Sequence, residues 1–222
     1  MDTFNKGKII ITYNRGISMF KKIASDALGL SDIGVVVPKS DFDKTDSDDF
    51  IFTEKGEEIY FLIKTKADEY CFTNLALIHV DGTNALSKKR MLRRYDYEYN
   101  TISDVMLETA GTIDLDVEIK FSMNNETFSI DIHKKFLTAI KDLYKALHAI
   151  SLEQKSNSFK LQSANEGIQL AAQSLHRNSI GEASPSQTFE EITKFSFNWL
   201  AENKQQFMKK DFGDTFELYI NN

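Results

Sequence analysis

The chain has 222 residues, of which 41% are hydrophobic and 27% charged, with a net charge of -6, one cysteine and two prolines. That balance suits a folded chain and excludes a disordered one. The negative sign excludes a general nucleic-acid binder, which needs surplus cations to displace counterions. A single cysteine allows neither an internal disulfide nor a cysteine-rich zinc site and fits a reducing compartment.

No apolar run approaches the roughly 18 residues that a bilayer span needs. Ile9-Ile10-Ile11 is far short of a secretory h-region. The expectation is a cytoplasmic protein whose membrane contact, if any, is peripheral. Residues 1–18 offer only an edge-strand or extension signal at 9–13. Phe20, Ile23, Ala24 and Ala27 then share one face at helical spacing, with Gly29 as a stop, which predicts a short amphipathic helix. Too few cations flank its apolar face for a membrane-surface helix, so it is expected to pack on its own domain. Residues 1–29 are read together as an N-terminal extension. The acidic segment 41–49, DFDKTDSDD, lacks the sixth-position Gly and twelfth-position Glu of a calcium loop. A solvated connector is expected there.

The densest strand-forming run follows at 58–81, EIYFLIKTKADEYCFTNLALIHVD. Ile59, Phe61 and Ile63 alternate with Tyr60 and Leu62. Lys66-Ala67-Asp68-Glu69 is a polar break. Tyr70-Cys71-Phe72 and Leu77-Ile78-His79-Val80 resume the pattern around a bend at Thr73-Asn74. These signals predict an antiparallel meander. After a turn at Asp81-Gly82-Thr83-Asn84, residues 88–97 (KKRMLRRYDY) form a charged strand candidate and residues 101–107 another. Ile113, Leu115, Val117, Ile119 and Phe121 alternate strictly with Asp114, Asp116, Glu118 and Lys120. Phe128, Ile130 and Ile132 alternate with Ser129 and Asp131. Asn124-Asn125 between these runs tolerates the positive φ of a tight hairpin. Each strand has one buried and one wet face, as in an antiparallel sheet closed over a core, and about seven strands are counted.

From His133 the period changes to 3.6. Phe136, Ile140, Leu143, Leu147 and Ile150 form one stripe, and the helix they predict runs to about Leu152 and plugs one end of the barrel. A second helix carries a narrow seam of Leu161, Ala164, Ile168, Ala171 and Leu175. Residues 180–185 break it, and Thr188 with Glu191 makes a capping box that opens a third helix. That helix holds Ile192, Phe195, Phe197, Trp199, Leu200 and Phe207, with Phe197 away from the Ile192-Phe195-Trp199 face. Aromatics on more than one face need cover from the barrel or from a second subunit, and subunit contact is the preferred reading. Residues 212–220 are read as a terminal strand or tail.

Two stretches carry a family resemblance. Phe72-Thr73-Asn74, followed by Leu77-Ile78 and Asp81, resembles the FTN…LI..D signature of the bacterial pleckstrin-homology (PH) domain. Glu108-Thr109-Ala110-Gly111-Thr112, then Asp114-Leu115-Asp116 and Glu118, resembles that family's ETAGT.D.D.E stretch. The resemblance covers about residues 30–152. The helices from about 156 to 210 resemble, in arrangement, the YvbH-like oligomerisation region appended to some such domains. The resemblance implies an α+β fold: a seven-stranded antiparallel PH-like bent β-barrel capped by a C-terminal helix, followed by an α-helical hairpin. The expected units are 1–29, a PH-like domain at 30–152 and an oligomerisation hairpin at 153–222. It also implies a homo-oligomer of ring-like form, but no reaction. Where the family commonly has basic residues after FTN, this chain has Leu75 and Ala76, which weakens phosphate binding at that turn.

The candidate chemistry is sparse. Asp114, Asp116 and Glu118 project from one strand face and could hold a hard cation, but a wet strand face continued by Lys120 is the preferred reading. Lys88, Lys89, Arg90, Arg93 and Arg94 form the densest basic run. They are the candidate contact for anionic lipid or phosphate, with Lys64 and Lys66 as helpers. The alternative is a charged strand that discourages edge-to-edge pairing. His79, His133, His148 and His176 never reach metal-ligand spacing. Cys71 reads as a small buried apolar group, and Tyr95, Tyr97 and Tyr99 as one core-covering strand face. No cofactor motif and no catalytic constellation is found, so an enzyme is not expected. The reading is a non-enzymatic, self-associating interaction or scaffold module that binds a protein partner. Its oligomer contacts are Leu161, Ile168, Leu175, Ile192, Phe195 and Trp199. The alternative is a peripheral binder of anionic lipid or phosphate through the basic strand.

Overall fold

The β-rich middle of the chain forms two antiparallel sheets in the computed structural model, which describes residues 33–82, 90–109, 116–177 and 185–220. The expected N-terminal strand and helix lie outside the described residues. The first sheet has the order β1 (Val35–Val36), β2 (Ile59–Lys64), β3 (Glu69–Thr73), β4 (Ala76–Gly82) and β5 (Arg90–Asp96). The second has the order β6 (Ile102–Glu108), β7 (Asp116–Met123) and β8 (Glu126–His133).

The expected closed seven-stranded barrel is therefore corrected to eight described strands in two sheets. The additional strand is β1, whose two residues are too few to show a period. Just before it the sheets are stitched together. The Gly34 N–H donates to the Asp131 carbonyl at 2.7 Å, and the His133 N–H donates to the Gly34 carbonyl at 2.9 Å. A Cβ on Gly34 would stand 2.9 Å from the Ile63 side chain and 3.1 Å from the Asp131 carbonyl, so this seam requires glycine. On the opposite side β5 and β6 do not pair. Their corner is held instead by a helix side chain: Gln154 donates to the Tyr97 carbonyl at 2.8 Å and accepts from the Ile102 N–H at 2.8 Å.

The alternation in β7 and β8 translates directly into burial. Val117, Ile119, Phe121, Met123, Phe128, Ile130 and Ile132 all lie in the core. Asn124 takes a positive φ of 53° in the hairpin turn. The meander behaves differently, because β2, β3 and β4 are covered on both faces. One face joins the main core. On the other, Leu62, Cys71, Ile78 and Val80 pack against Val37, Phe42, Ile51 and Ile59. The acidic segment expected to be a solvated connector supplies part of that cover. It folds into short 3-10 turns (Lys39–Lys44 and Ser47–Phe50), and Thr45 and Ser47 are buried within it. Phe42 and Ile51 lead it onto the sheet, while its carboxylates remain at the rim.

Three helices follow. Helix α1 (Leu137–Arg177) is continuous over 41 residues, roughly 60 Å at about 1.5 Å per residue. It does not stop near Leu152, because no Gly or Pro interrupts it before Gly167. Its first part packs into the main core through Ile140, Leu143, Leu147 and Ile150, all with no exposed surface. Helix α2 (Pro185–Phe207) begins upstream of Thr188, so Thr188 and Glu191 sit inside the helix and do not cap it. Helix α3 (Gly213–Ile220) replaces the expected terminal strand or tail. Phe212 and Phe216 are fully buried. Phe216 stacks on Tyr60 at 5.4 Å between centroids, and Phe212 meets Tyr97 edge-on at 5.8 Å. The chain thus leaves the barrel along α1, returns along α2 and is anchored again by α3.

Candidate functional site

The segment between these anchors is an exposed helical hairpin. No described residue in 155–173 or in 186–207 is buried. Leu161, Ile168 and Ile192 are half-buried, and the side chain of Leu175 lies outside the described set. Phe195 and Trp199 stack at 6.3 Å and are 63% and 40% exposed. Ile168, Ala171, Ala172, Ile192 and Phe195 line an open groove of about 270 Å³ between the helices. Phe159, Phe189 and Phe197 are each exposed by 70% or more. Neither the barrel nor the partner helix covers these rings within one chain. Apolar surface of this extent is uncommon on a folded monomeric chain.

The basic strand is arranged otherwise. Lys88 and Lys89 lie outside the described residues. Arg90 stands 3.4 Å from Asp46, and Arg93 is 4.0 Å from Asp81. Arg94 is 3.0 Å from Glu57 and 2.7 Å from Asp96. Each described arginine of β5 therefore faces a carboxylate, which blunts the positive field that an anion would sense. Lys64, a proposed helper, pairs with buried Glu69. Burial works against the Arg94 charge, yet its bonds to Glu57 and Asp96 outweigh that and raise its pKa. Glu57 is itself buried. It accepts from the Thr73 hydroxyl at 2.7 Å and from the Phe52 N–H at 2.9 Å, while the Phe52 ring lies 4.8 Å from the Arg94 guanidinium. Arg94 belongs to a packed polar network of the fold.

The same network explains the FTN motif. The Asn74 amide donates to the Gly56 carbonyl at 3.2 Å and to Asp211 at 2.9 Å, and its oxygen accepts from the Glu58 N–H at 2.9 Å. The Asn74 carbonyl accepts from the Phe212 N–H at 2.8 Å. Thr73 closes the turn by accepting from the Ala76 N–H at 2.8 Å. These residues join the 56–58 loop, the β3–β4 turn and the C-terminal return into one node. The bend at Thr73-Asn74 was legible in the sequence; its contacts to residues 56–58 and 211–212 were not, because those segments lie far from it along the chain.

The remaining candidates find ordinary places. Asp114 lies outside the described residues. Glu118 meets the Lys120 ammonium at 2.6 Å, and hydrogen bonds from Lys120 and Ser129 hold its carboxyl below the usual range. Among the described residues no group of three or more His, Cys, Asp or Glu is placed to hold a metal ion. Burial pushes the Cys71 thiol well up, away from reactivity. His79 is buried, stacked on Tyr70 at 4.6 Å with Nε2 3.4 Å from Asp68. His133 accepts from the Lys135 N–H, and His148 stacks on Tyr144; the His176 side chain lies outside the described set. The three tyrosines do not share a strand face, because β5 ends at Asp96. Tyr97 is in the core and Tyr99 is 65% exposed in the following turn. No described helix is long and apolar enough to cross a membrane.

Two family models match the chain. Residues 27–151 match the model of the bacterial PH domain, and residues 162–222 match that of the YvbH-like oligomerisation region. Among curated proteins, the chain is 54% identical over 204 residues to the uncharacterized protein YvbH of Bacillus subtilis, covering 92% of this chain and all of that protein. Uncharacterized protein YozO of the same organism is 31% identical over 80 residues, covering 36% of this chain and 68% of that protein. Among solved structures, a PH domain containing bacterial protein from Exiguobacterium sibiricum superposes with a TM-score of 0.79 at 47% identity, covering 86% of this chain and all of that one. The chain belongs to the bacterial PH domain family and carries a YvbH-like oligomerisation region after that domain.

Proposed function

We propose that this protein is a non-enzymatic interaction module that assembles with itself through its helical hairpin and presents the PH-like barrels to a protein partner. The observation that carries the reading is the hairpin's exposure. No described residue in 155–173 or in 186–207 is buried, and Phe195, Phe197 and Trp199 of α2 stand in water, at a cost of roughly 25 cal/mol for each Å² of apolar surface left uncovered. A ring-like assembly is the form this reading favours, because aromatics on more than one side of a hairpin exceed what one two-fold contact covers. The carboxylates facing Arg90, Arg93 and Arg94 support this reading over the anionic-lipid alternative.

Light scattering after size exclusion tests it. The full chain is expected well above the 25.4 kDa of one copy. The double variant Phe195→Ser, Trp199→Ser is expected to lower the mass while the barrel's melting transition stays in place. Removing residues 156–222 is not a clean test, because it also takes Phe212 and Phe216 from the core. A full chain that runs as a monomer at every concentration overturns the proposal.

A further inference from the structure

An unpaired sheet edge is a template for a further strand, and folded chains close their edges off. Here β1 and β8 are stitched together through Gly34. Strand β6 is bulged between Ser103 and Met106, where Asp104 takes a positive φ of 51°, and its Ile102 N–H is taken by Gln154. Strand β5 has neither device. It pairs with β4 in unbroken register from Gly82↔Arg90 to Ala76↔Asp96. Along Met91–Tyr95 no described strand pairs with its outer side, so the outward backbone groups there have no backbone partner among the described residues. The two flanks of this edge differ. Leu92 and Arg94 stand opposite Val80 and Ile78, on the face of the second core cluster. Segment 46–52 runs beside that face, held at one end by Asp46 against Arg90 and at the other by the Phe52 ring against Arg94. Phe50, Phe52 and Leu92 are 44%, 40% and 40% exposed along it. Alternation turns Met91 and Arg93 to the other face. There Arg93 lies 4.0 Å from Asp81, farther than a hydrogen bond reaches.

We propose that the outer edge of β5 accepts, as an added strand, an extended segment of a protein partner in which apolar residues alternate with acidic ones. Its apolar side chains lie on Leu92, Phe50 and Phe52, and its carboxylates reach Arg93 on the opposite face. This rests on the reading of the barrel as the partner-binding part and names the surface and the partner's chemistry. Backbone hydrogen bonds along the edge supply affinity, and the two flanks read alternate side chains. The carboxylates beside the arginines weaken the pull on a free anion. A strand already held by its backbone carries its own carboxylate to short range, where a charge-assisted bond to the Arg93 guanidinium forms. The β5 edge of a second copy does not fit. Pairing two such edges puts both sets of arginines on one short ladder, and like charges across a strand pair are unfavourable. The basic edge thus refuses its own kind and admits an acidic strand.

Hydrogen exchange of the full chain, read by mass spectrometry, tests the proposal with two synthetic peptides of about eight residues. One alternates valine with glutamate and the other valine with lysine. At about ten times its dissociation constant, the glutamate peptide is expected to slow exchange at the outward amides of residues 90–96 by about tenfold. The lysine peptide is expected to leave them unchanged. Arg93→Glu is expected to reverse the preference between the peptides, and Leu92→Ser to weaken the glutamate peptide several-fold. Both side chains are exposed, so each variant is expected to keep the parent's melting transition. Three results with the parent chain overturn the proposal: exchange at 90–96 unchanged at about 1 mM glutamate peptide, protection confined to the hairpin, or equal protection by the two peptides. An assembled chain whose β5 stays unprotected loses this inference alone. A monomeric chain whose β5 is protected loses the self-association reading and keeps this one.

Discussion

Helix α1 is one continuous helix in two environments. Over its first part, Ile140, Leu143, Ala146, Leu147 and Ile150 are all fully buried against the sheets and α3. Beyond Gln154 no described residue of α1 is buried, although Leu161, Ala164, Ile168 and Ala171 continue an apolar seam. Helical period alone does not separate the two parts. The difference lies in what faces them. The first part meets two sheets and a docked helix, and its large side chains are enclosed on all sides. The second part meets one neighbouring helix, and half its seam is alanine. Local pattern makes a helix amphipathic; enclosure by other elements makes it a core.

Three substitutions sharpen or break this contrast. The largest effect is expected from Phe216→Ala, which opens a cavity where α3 meets the barrel and should cost about 3–5 kcal/mol in urea unfolding. A loss below about 1 kcal/mol would mean that α3 is a dispensable cover. Glu57→Ala comes next, at about 2–3 kcal/mol, because it removes a shared partner of the Arg94 guanidinium, the Thr73 hydroxyl and the Phe52 N–H in a packed site. A near-neutral result would place that network outside the folding core. Ile192→Ala in the hairpin seam is expected to move the barrel's unfolding by less than about 1 kcal/mol, since its site is only half-buried. If it unfolds the barrel as strongly as Phe216→Ala, hairpin and barrel are one cooperative unit and the contrast fails.

Legibility followed the same division. Strands β7 and β8 were readable because each has one wet face, so alternation in sequence becomes alternation in burial. The meander was recognised as β, but its second covered face was not, because a strand buried on both sides carries no alternation. Its cover came from the 41–49 segment, whose eight polar or charged residues dominate composition while Phe42, Thr45 and Ser47 face inward. Helix α3 was missed although Phe212, Phe216 and Ile220 recur at every fourth position, because eight residues barely exceed the range where strand and helix patterns coincide. At the candidate sites, the exposed ring of Phe197 was legible as an off-stripe aromatic. Asp96, two residues from Arg94, was legible as a counter-charge, but Asp46 and Glu57 were not, since they are far away in sequence and reach β5 only through the fold.

Period and turn chemistry by themselves determined that this chain has an antiparallel β region, an amphipathic helix after it and a hairpin with excess aromatics. These are properties of neighbouring residues, set by side-chain geometry along a strand or helix. Tertiary structure alone decided that the sheets meet at Gly34, that Asn74 ties the C-terminal return to the β3–β4 turn, and that Arg90 and Arg94 meet Asp46 and Glu57. Those outcomes depend on distances between segments many tens of residues apart, which close packing sets and local pattern does not encode.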